Sequence, residues 1–196
     1  MNQLLDLNTL KTLETISSED DLVLCALKES VVSEVYLSWM MDYEVIKFTE
    51  QRHNIPDINT IREYVVKKYK SECDLLMGIY SNKKHIGNVK LGDMDFNNLT
   101  ATVSYIIGNK SYWNKGIGTK VIRMVLKIAF QKLRIEKVLA GVYVNNLGSI
   151  KVLENNGFIK DTTLTRCISF DGFHQEILQY KKLNQAIETK KKNGFV

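Results

Sequence analysis

Tyr112-Trp113-Asn114-Lys115-Gly116-Ile117-Gly118-Thr119 separates two segments of different period. Before it, Thr102-Val103-Ser104-Tyr105-Ile106-Ile107 alternates as a half-buried strand does and stops at Gly108. After it, Thr119 to Arg134 is apolar at helical spacing, with Val121, Met124, Val125 and Ile128 on one face. Strand, basic glycine loop and helix in that order aim backbone N–H groups and the positive end of a helix dipole at one spot, which binds phosphate or pyrophosphate. Gly116 and Gly118 permit close approach and unusual dihedrals. Asn114 adds a donor and Lys115 a positive charge. The loop is not a P-loop, because no Gly-Lys-Ser/Thr follows, and it lacks the third glycine of a dinucleotide fingerprint. Taken alone, it reads equally as an ordinary strand–helix turn.

Working outward, Leu22 to Leu27 and Leu75 to Tyr80 read as strands. His85 to Leu91 follows the turn at 81–84 as a hairpin partner, and Asn97-Asn98 turns into Ala101–Ile107. Ser30 is positioned to cap a helix running through Ser38-Trp39-Met40. Asp57 or Asn59 caps a second, with Ile61, Tyr64, Val65 and Tyr69 on one face. A polar loop, 47–54, lies between them. Downstream, Val138 to Val144 is a continuous apolar strand, Leu147 to Asn155 a short helix, and Gly157 its left-handed cap. Phe158 to Ile168 and Phe173 to Tyr180 are extended around the turn signal Asp171-Gly172. The order β, α, α, β, β, β, α, β, α, β, β specifies a mixed α/β sheet with helices on its faces.

The chain has 196 residues, 44% of them hydrophobic and 25% charged, enough for one domain with a full core. A domain over 21–183 is expected, with a helical N-terminal extension over 1–20, where Leu4, Leu7, Leu10, Leu13 and Ile16 recur, and a basic tail over 184–196. No run approaches the ~18–20 apolar residues that cross a bilayer, and Met1 to Asp6 lacks the basic and apolar regions of a secretory signal. A cytoplasmic protein without a membrane partner is expected. Net charge is +5, with the lysines scattered, so no nucleic-acid partner is expected. Cys25, Cys73 and Cys167 are widely spaced and form neither a disulfide framework nor a metal motif; three reduced thiols and no metal are expected.

A second motif follows the apolar strand: Asn145-Asn146-Leu147-Gly148-Ser149-Ile150-Lys151-Val152-Leu153-Glu154-Asn155-Asn156-Gly157-Phe158. Alone it is a capped amphipathic helix. Together with the glycine loop, across Ala101 to Leu183, it resembles the GNAT superfamily of acetyl-CoA-dependent N-acetyltransferases. Tyr36-Leu37-Ser38-Trp39-Met40-Met41, Tyr112-Trp113-Asn114-Lys115-Gly116 and Asp171-Gly172-Phe173-His174-Gln175-Glu176 resemble its RimJ/RimL-type branch. Trp39 to His53 is similar to amino-sugar acetyltransferases.

The resemblance implies a mostly antiparallel mixed sheet with two splayed central parallel strands, here Ala101–Ile107 and Val138–Val144, and helices on both faces. It implies acetyl-CoA in the opening between them, with a bulge on the first strand freeing backbone groups. The pantetheine arm pairs with backbone of Ile106, Ile107 and Gly108, and the pyrophosphate rests on the amides of Asn114, Lys115, Gly116, Ile117, Gly118 and Thr119. Asn146 reaches the pantetheine, and Ser149 or Asn155 approaches the thiol or the nucleotide end.

The implied reaction is direct attack of an amine on the thioester. Two common elements are missing: Leu153 replaces a tyrosine of the helix, and Thr102 a glutamate of the strand. Ser149 or a water is then the candidate acid, with departure of an unprotonated thiolate as the alternative, and Glu176, His174, His53 and Glu50 are candidate bases. The expected acceptor is a small-molecule amine, an amino sugar carried on a nucleotide, contacted by Trp39, Phe48, Arg52, His53 and His174. Two alternatives stay open: a ribosomal-protein or protein N-terminal acetyltransferase, and a non-catalytic acyl-CoA-binding module. A monomer and a homodimer are both compatible with the sequence.

Overall fold

The computed structural model describes residues 6–53, 56–170 and 173–184, and their side chains except at 53, 163–170 and 173–175. The Asp171-Gly172 turn, the Cys167 thiol and the basic tail beyond 184 therefore lie outside the described residues. The strands are β1 (Ser17–Glu19), β2 (Leu22–Ala26), β3 (Leu75–Ser81), β4 (Lys84–Asp95), β5 (Thr100–Ile107), β6 (Lys137–Tyr143), β7 (Ile159–Phe170) and β8 (Phe173–Leu183). They form one eight-stranded sheet in the order β1-β2-β3-β4-β5-β6-β8-β7. Every neighbouring pair is antiparallel except β5 with β6. This is the mixed, mostly antiparallel α/β architecture with one central parallel pair.

Helices α1 (Leu7–Thr12), α2 (Glu34–Met41), α3 (Tyr43–Ile46), α4 (Ile58–Lys70), α5 (Ile117–Lys127) and α6 (Leu147–Asn155) cover the sheet. The cap of α2 is Ser33 rather than Ser30: its Oγ accepts from the Tyr36 amide, while Ser30 sits in a preceding 3-10 turn. Asp57 caps α4, its Oδ1 accepting from the Thr60 amide at 2.7 Å. The stripe Val121, Met124, Val125 and Ile128 is buried, as its period requires, but the last of these begins a π-helical turn over Ile128–Lys132. The expected N-terminal extension is part of this body: Leu7, Leu10 and Ile16 join the core, and β1 pairs with β2.

Two apolar clusters form, one on each face of the sheet. One holds Leu24, Met77, Val89, Val121, Val125 and Val138. The other holds Leu27, Tyr36, Trp39, Val65 and Leu76 under α2 and α4. A buried carboxylate ties the second face to the sheet. Asp74, 4% exposed, accepts from Lys68 Nζ and from Ser71 Oγ, each at 2.8 Å. Burial alone raises this carboxyl; the Lys68 and Ser71 hydrogen bonds and the charges of Lys68 and Lys90 outweigh it and hold it below its ordinary value. Asp74→Asn is expected to cost about 2–3 kcal/mol, read by urea denaturation. The sign follows from the lowered pKa. This stabilisation is fully present above about pH 4 and is lost as pH falls through the folded-state pKa. The variant should therefore show a flatter acid limb of stability against pH.

Candidate active site

Strands β5 and β6 pair only at Thr100↔Lys137, Ala101↔Val138 and Thr102↔Leu139. Beyond that point they diverge, and a cavity of about 900 Å³ opens between Ser104–Tyr105–Ile106 on one arm and Gly141–Val142–Tyr143 on the other. The far edge of β5 stays paired with β4 from Gly92↔Thr102 to Gly87↔Ile107 without a break. The expected bulge on β5 is not there. The register shift lies between Gly92 and Asp95 of its neighbour, and the cleft arises simply because the parallel pairing stops. Past Thr102 the β6-facing edge of β5 carries no strand, which leaves backbone groups for an extended ligand.

The loop after β5 is held in place by its own aromatics. Asn109 opens a 3-10 turn by accepting from the Ser111 amide at 3.0 Å. Trp113 Nε1 donates to the Ile107 carbonyl at 2.7 Å. That carbonyl, expected to meet the pantetheine arm, is thus engaged by the chain's own indole. Asn114 and Gly116 both take positive φ, +59° and +74°. Gly116 is the N-cap of α5 and supplies no side-chain acceptor, so the first-turn amides of Ile117, Gly118 and Thr119 keep their positive potential. Lys115 is exposed beside them, its Nζ 5.9 Å from the Tyr112 ring centroid. A Cβ at Gly118 would press on Tyr105 Cε2 and Val152 Cγ2, each at 3.2 Å.

Alternation divides the cleft into two sides. Tyr105 turns towards α6, where its hydroxyl lies 3.1 Å from Ser149 Oγ. Burial pushes this phenol up from its ordinary value, and the Ser149 hydrogen bond partly offsets the rise. Asn146 caps α6, its Oδ1 accepting from the Ser149 amide at 3.2 Å, which leaves its amide nitrogen and the second lone pair of the oxygen for a ligand. Leu153 is buried and lines the cavity without a polar atom. Asn155 is exposed and does not line it; its neighbour Asn156 donates to the Thr119 carbonyl at 3.2 Å and to Val152 O at 2.8 Å. Neither Tyr105 nor Asn156 belongs to the expected set. The alternation of Val103, Tyr105 and Ile107 was the available signal for the first.

On the other side the loop 47–53 folds against the end of β6. The Tyr143 hydroxyl donates to Glu50, the Arg52 guanidinium lies 4.5 Å from the Tyr143 ring centroid, and the Phe48 ring is 6.4 Å from it. Arg52 also donates to the Lys47 carbonyl at 3.2 Å. Phe48 and Glu50 line the cavity, as does Asp93. Burial first, and then the Glu50 carboxylate, raises the Tyr143 phenol. No local pattern announces Tyr143, because its partner is 93 residues away in sequence.

Three expected acceptor-side or base residues, Trp39, Arg52 and Glu176, lie outside the cavity lining, as do Ile107, Gly108 and the loop 114–119 of the expected donor site. Trp39 is 6% exposed and packs beneath Gly108 and 4.9 Å from the His85 ring, outside the cavity lining. It is a core residue that sets the height of the strand end. Glu176 is exposed and also outside the lining; Ile177 and Gln179 of β8 face the cavity, so the alternating Glu176 does not. The side chains of His53 and His174 lie outside the described residues. Among the described residues no group of three or more His, Cys, Asp or Glu could hold a metal ion. Among them, too, no helix is long and apolar enough to cross a membrane.

Comparison with known proteins agrees with this geometry. Residues 21–159 match the model of the acetyltransferase (GNAT) domain. "Probable N-acetyltransferase YjcK" of Bacillus subtilis (strain 168) is 28% identical over 169 residues, spanning 85% of this chain and 88% of that protein. Among solved structures, the ribosomal L7/L12 α-N-protein acetyltransferase RimL in complex with coenzyme A superposes with a TM-score of 0.77 at 16% identity, covering 88% of this chain and 99% of that one. The spermidine N-acetyltransferase of Vibrio cholerae, in complex with CoA and spermine, superposes with a TM-score of 0.75 at 19% identity, covering 85% and 98%. A central parallel pair that opens after three residue pairs, a helix start without a side-chain cap beside it, and a domain model spanning both lead to one assignment: the chain belongs to the GNAT family of acetyltransferases and is an acyltransferase.

Proposed function

We propose that the protein transfers acetyl from acetyl-CoA to the primary amine of a small molecule, an amino sugar in nucleotide-linked form. The carrying observation is one cavity that runs between the open edge of β5, with Tyr105 and Ser149, on one side and the Glu50–Tyr143 pair on the other. The residues present suit the donor. The free β5 edge at Ser104 to Ile106 offers backbone to an extended arm, the amides of Asn114 to Thr119 offer donors to a pyrophosphate, and the Asn146 side-chain amide remains available.

In this reading Glu50, steadied by the Tyr143 hydroxyl, takes a proton from the acceptor's ammonium. The neutral nitrogen forms the new C–N bond, and a backbone N–H on the open edge of β5 steadies the carbonyl oxygen. The C–S bond breaks as the nitrogen gives up its second proton to solvent, the departing thiolate takes a proton from Ser149, and Ser149 is reprotonated through Tyr105 from solvent. Glu50 replaces Glu176 as the assigned base because it lines the cavity. Phe48 and Tyr143 offer apolar ring surface to a sugar, and Arg52, stacked on Tyr143 just outside the cavity lining, is the candidate cation for a nucleotide phosphate.

A second reading, a peptide N-terminus as acceptor, draws on the carboxylates Glu50 and Asp93, which suit a cationic amine without phosphate. Free-thiol release from acetyl-CoA over UDP-linked amino sugars, free amino sugars, polyamines and N-terminal peptides tests these. Turnover confined to peptides would overturn the sugar assignment. Absence of turnover with every amine would favour a non-catalytic acyl-CoA-binding module.

The donor site has its own test. Gly118→Val forces a side chain against Tyr105 and Val152 where a Cβ alone is already tight. It is expected to weaken acetyl-CoA binding about tenfold, near 1.4 kcal/mol, by calorimetry. Gly116→Ala meets open space, so its smaller loss comes from holding φ at +74°, which costs an L-residue about 1 kcal/mol. Unchanged affinity in both variants would move the pyrophosphate away from this loop.

A further inference from the structure

One buried polar atom in the cavity wall has no use in the fold. Asn88 is 5% exposed, lines the cavity, and its Nδ2 has no hydrogen-bond partner among the described residues. An orphaned buried donor is costly, and the sheet does not require one here. It sits opposite Ile106, on the arm of β5 that borders the opening.

The local backbone explains how the amide is aimed. In β4, Gly87 pairs with Ile79 and His85 pairs with Tyr80, so Ile86 is an extra residue, a bulge. Residues three apart fall on opposite faces of a regular strand. The extra residue shifts the phase and puts His85 and Asn88 on one face. His85 Nε2 then lies 2.8 Å from Asn88 Oδ1, and protonated at that nitrogen it donates to the amide oxygen. The ring itself is boxed by Tyr80 at 5.2 Å, Trp39 at 4.9 Å and Tyr36 at 5.9 Å. With the oxygen engaged by a fixed ring, the buried NH₂ group beside the cavity has no partner of its own among the described residues.

We infer that Asn88 is a specificity residue whose side-chain NH₂ donates to an oxygen of the acceptor, so that the enzyme selects amines carrying a hydroxyl or carbonyl oxygen over amines that carry none. His85 is its positioning residue. The inference deepens the amino-sugar assignment and rests on it: a sugar amine has hydroxyls beside it, whereas a polyamine does not. Discrimination of this kind is strong because the analogue without oxygen leaves the buried donor unpaired.

The test uses the full-length enzyme and four probes: UDP-glucosamine, glucosamine, cyclohexylamine and spermidine, with thiol release as the readout. Wild type is expected to favour the better sugar amine over cyclohexylamine by at least about tenfold in kcat/KM. Asn88→Leu should reduce that ratio to near one, chiefly through the sugar's KM. Asn88→Asp keeps an acceptor for His85 but loses the donor, and should behave in the same way. His85→Phe keeps the ring packing and frees the amide, and should lower the ratio partially. Acetyl-CoA affinity should stay within about twofold in all three, which separates loss of the contact from loss of the fold. A sugar preference retained in folded Asn88→Leu and Asn88→Asp overturns this inference and leaves the amino-sugar assignment standing. Wild-type turnover with spermidine or cyclohexylamine in preference to both sugars overturns the two together.

Discussion

Tyr105→Phe should lower kcat about a hundredfold while leaving the affinity for acetyl-CoA nearly unchanged. The substitution removes one hydroxyl, whose only described partner is Ser149 Oγ at 3.1 Å, and keeps the ring that packs against Gly118. With Leu153 in the helix position where a phenol is common in this family, no other hydroxyl pair stands at this place on the α6 side among the described residues. Ser149 alone is a poor acid. A second hydroxyl behind it can replace the proton it gives up, and positioned proton transfer is worth about 10²–10⁴-fold.

In the proposed mechanism Tyr105 acts through Ser149, so its test must separate relay from packing. Ser149→Ala should cost about as much as Tyr105→Phe, and the double variant little more than either, because the two hydroxyls form one unit. Additive losses would mean that the hydroxyls act independently. The pH profile gives a second reading. Burial raises the Tyr105 phenol, so it stays protonated through neutral pH, and the alkaline fall of kcat should lose its Tyr105 part in Tyr105→Phe and keep the part due to Tyr143. An identical alkaline limb in Tyr105→Phe would remove the tyrosine from the proton path.

Gly108→Ala is the second large effect, and it concerns stability. A Cβ at this position would come within 2.0 Å of Trp39 Cδ2, 2.3 Å of Cε3 and 2.5 Å of Cγ. The indole has no room to yield, with His85 4.9 Å and Tyr36 5.9 Å from its centroid. Overpacking of this kind costs about 1–3 kcal/mol or more, and here the rigid ring puts the expected loss near 3 kcal/mol. Gly148→Ala in α6 is the control: its Cβ would meet only Asn146 Oδ1 at 3.9 Å, so the variant should be neutral or slightly more stable. Urea unfolding of the two variants, and of Gly108→Ala combined with Trp39→Leu, reads both the clash and its relief. A loss below about 0.5 kcal/mol in Gly108→Ala would show that the indole can move aside.

The same tryptophan marks where local reading stops. Trp39 has the type and neighbours of an acceptor-site aromatic, and α2 forms where its pattern predicts. Which side of that helix meets the sheet depends on Gly108, which lacks a side chain and so admits an indole at the strand end. Glu176 shows the same limit in a strand. Its chemistry suits a base, but its pairing within β8 gives the cavity face to Ile177 and Gln179. Asn88 was invisible for a related reason: one extra residue at Ile86 reverses the face on which it lies.

Legible in the chain were the α/β order from β2 onward except the short α3, the glycine loop at a helix start, the capped helix behind Asn146, and through them the family; β1, inside the segment expected to be helical, was not. The legible features are all local: periodicity, caps and turn chemistry act over a few residues and leave a pattern that can be read directly. Tertiary structure alone decided which residues meet across the cleft. Tyr105 with Ser149 and Glu50 with Tyr143 are separated by 44 and 93 residues, and no local rule links them. They are joined because β5 and β6 stop pairing after Thr102 and Leu139, which opens the sheet between them.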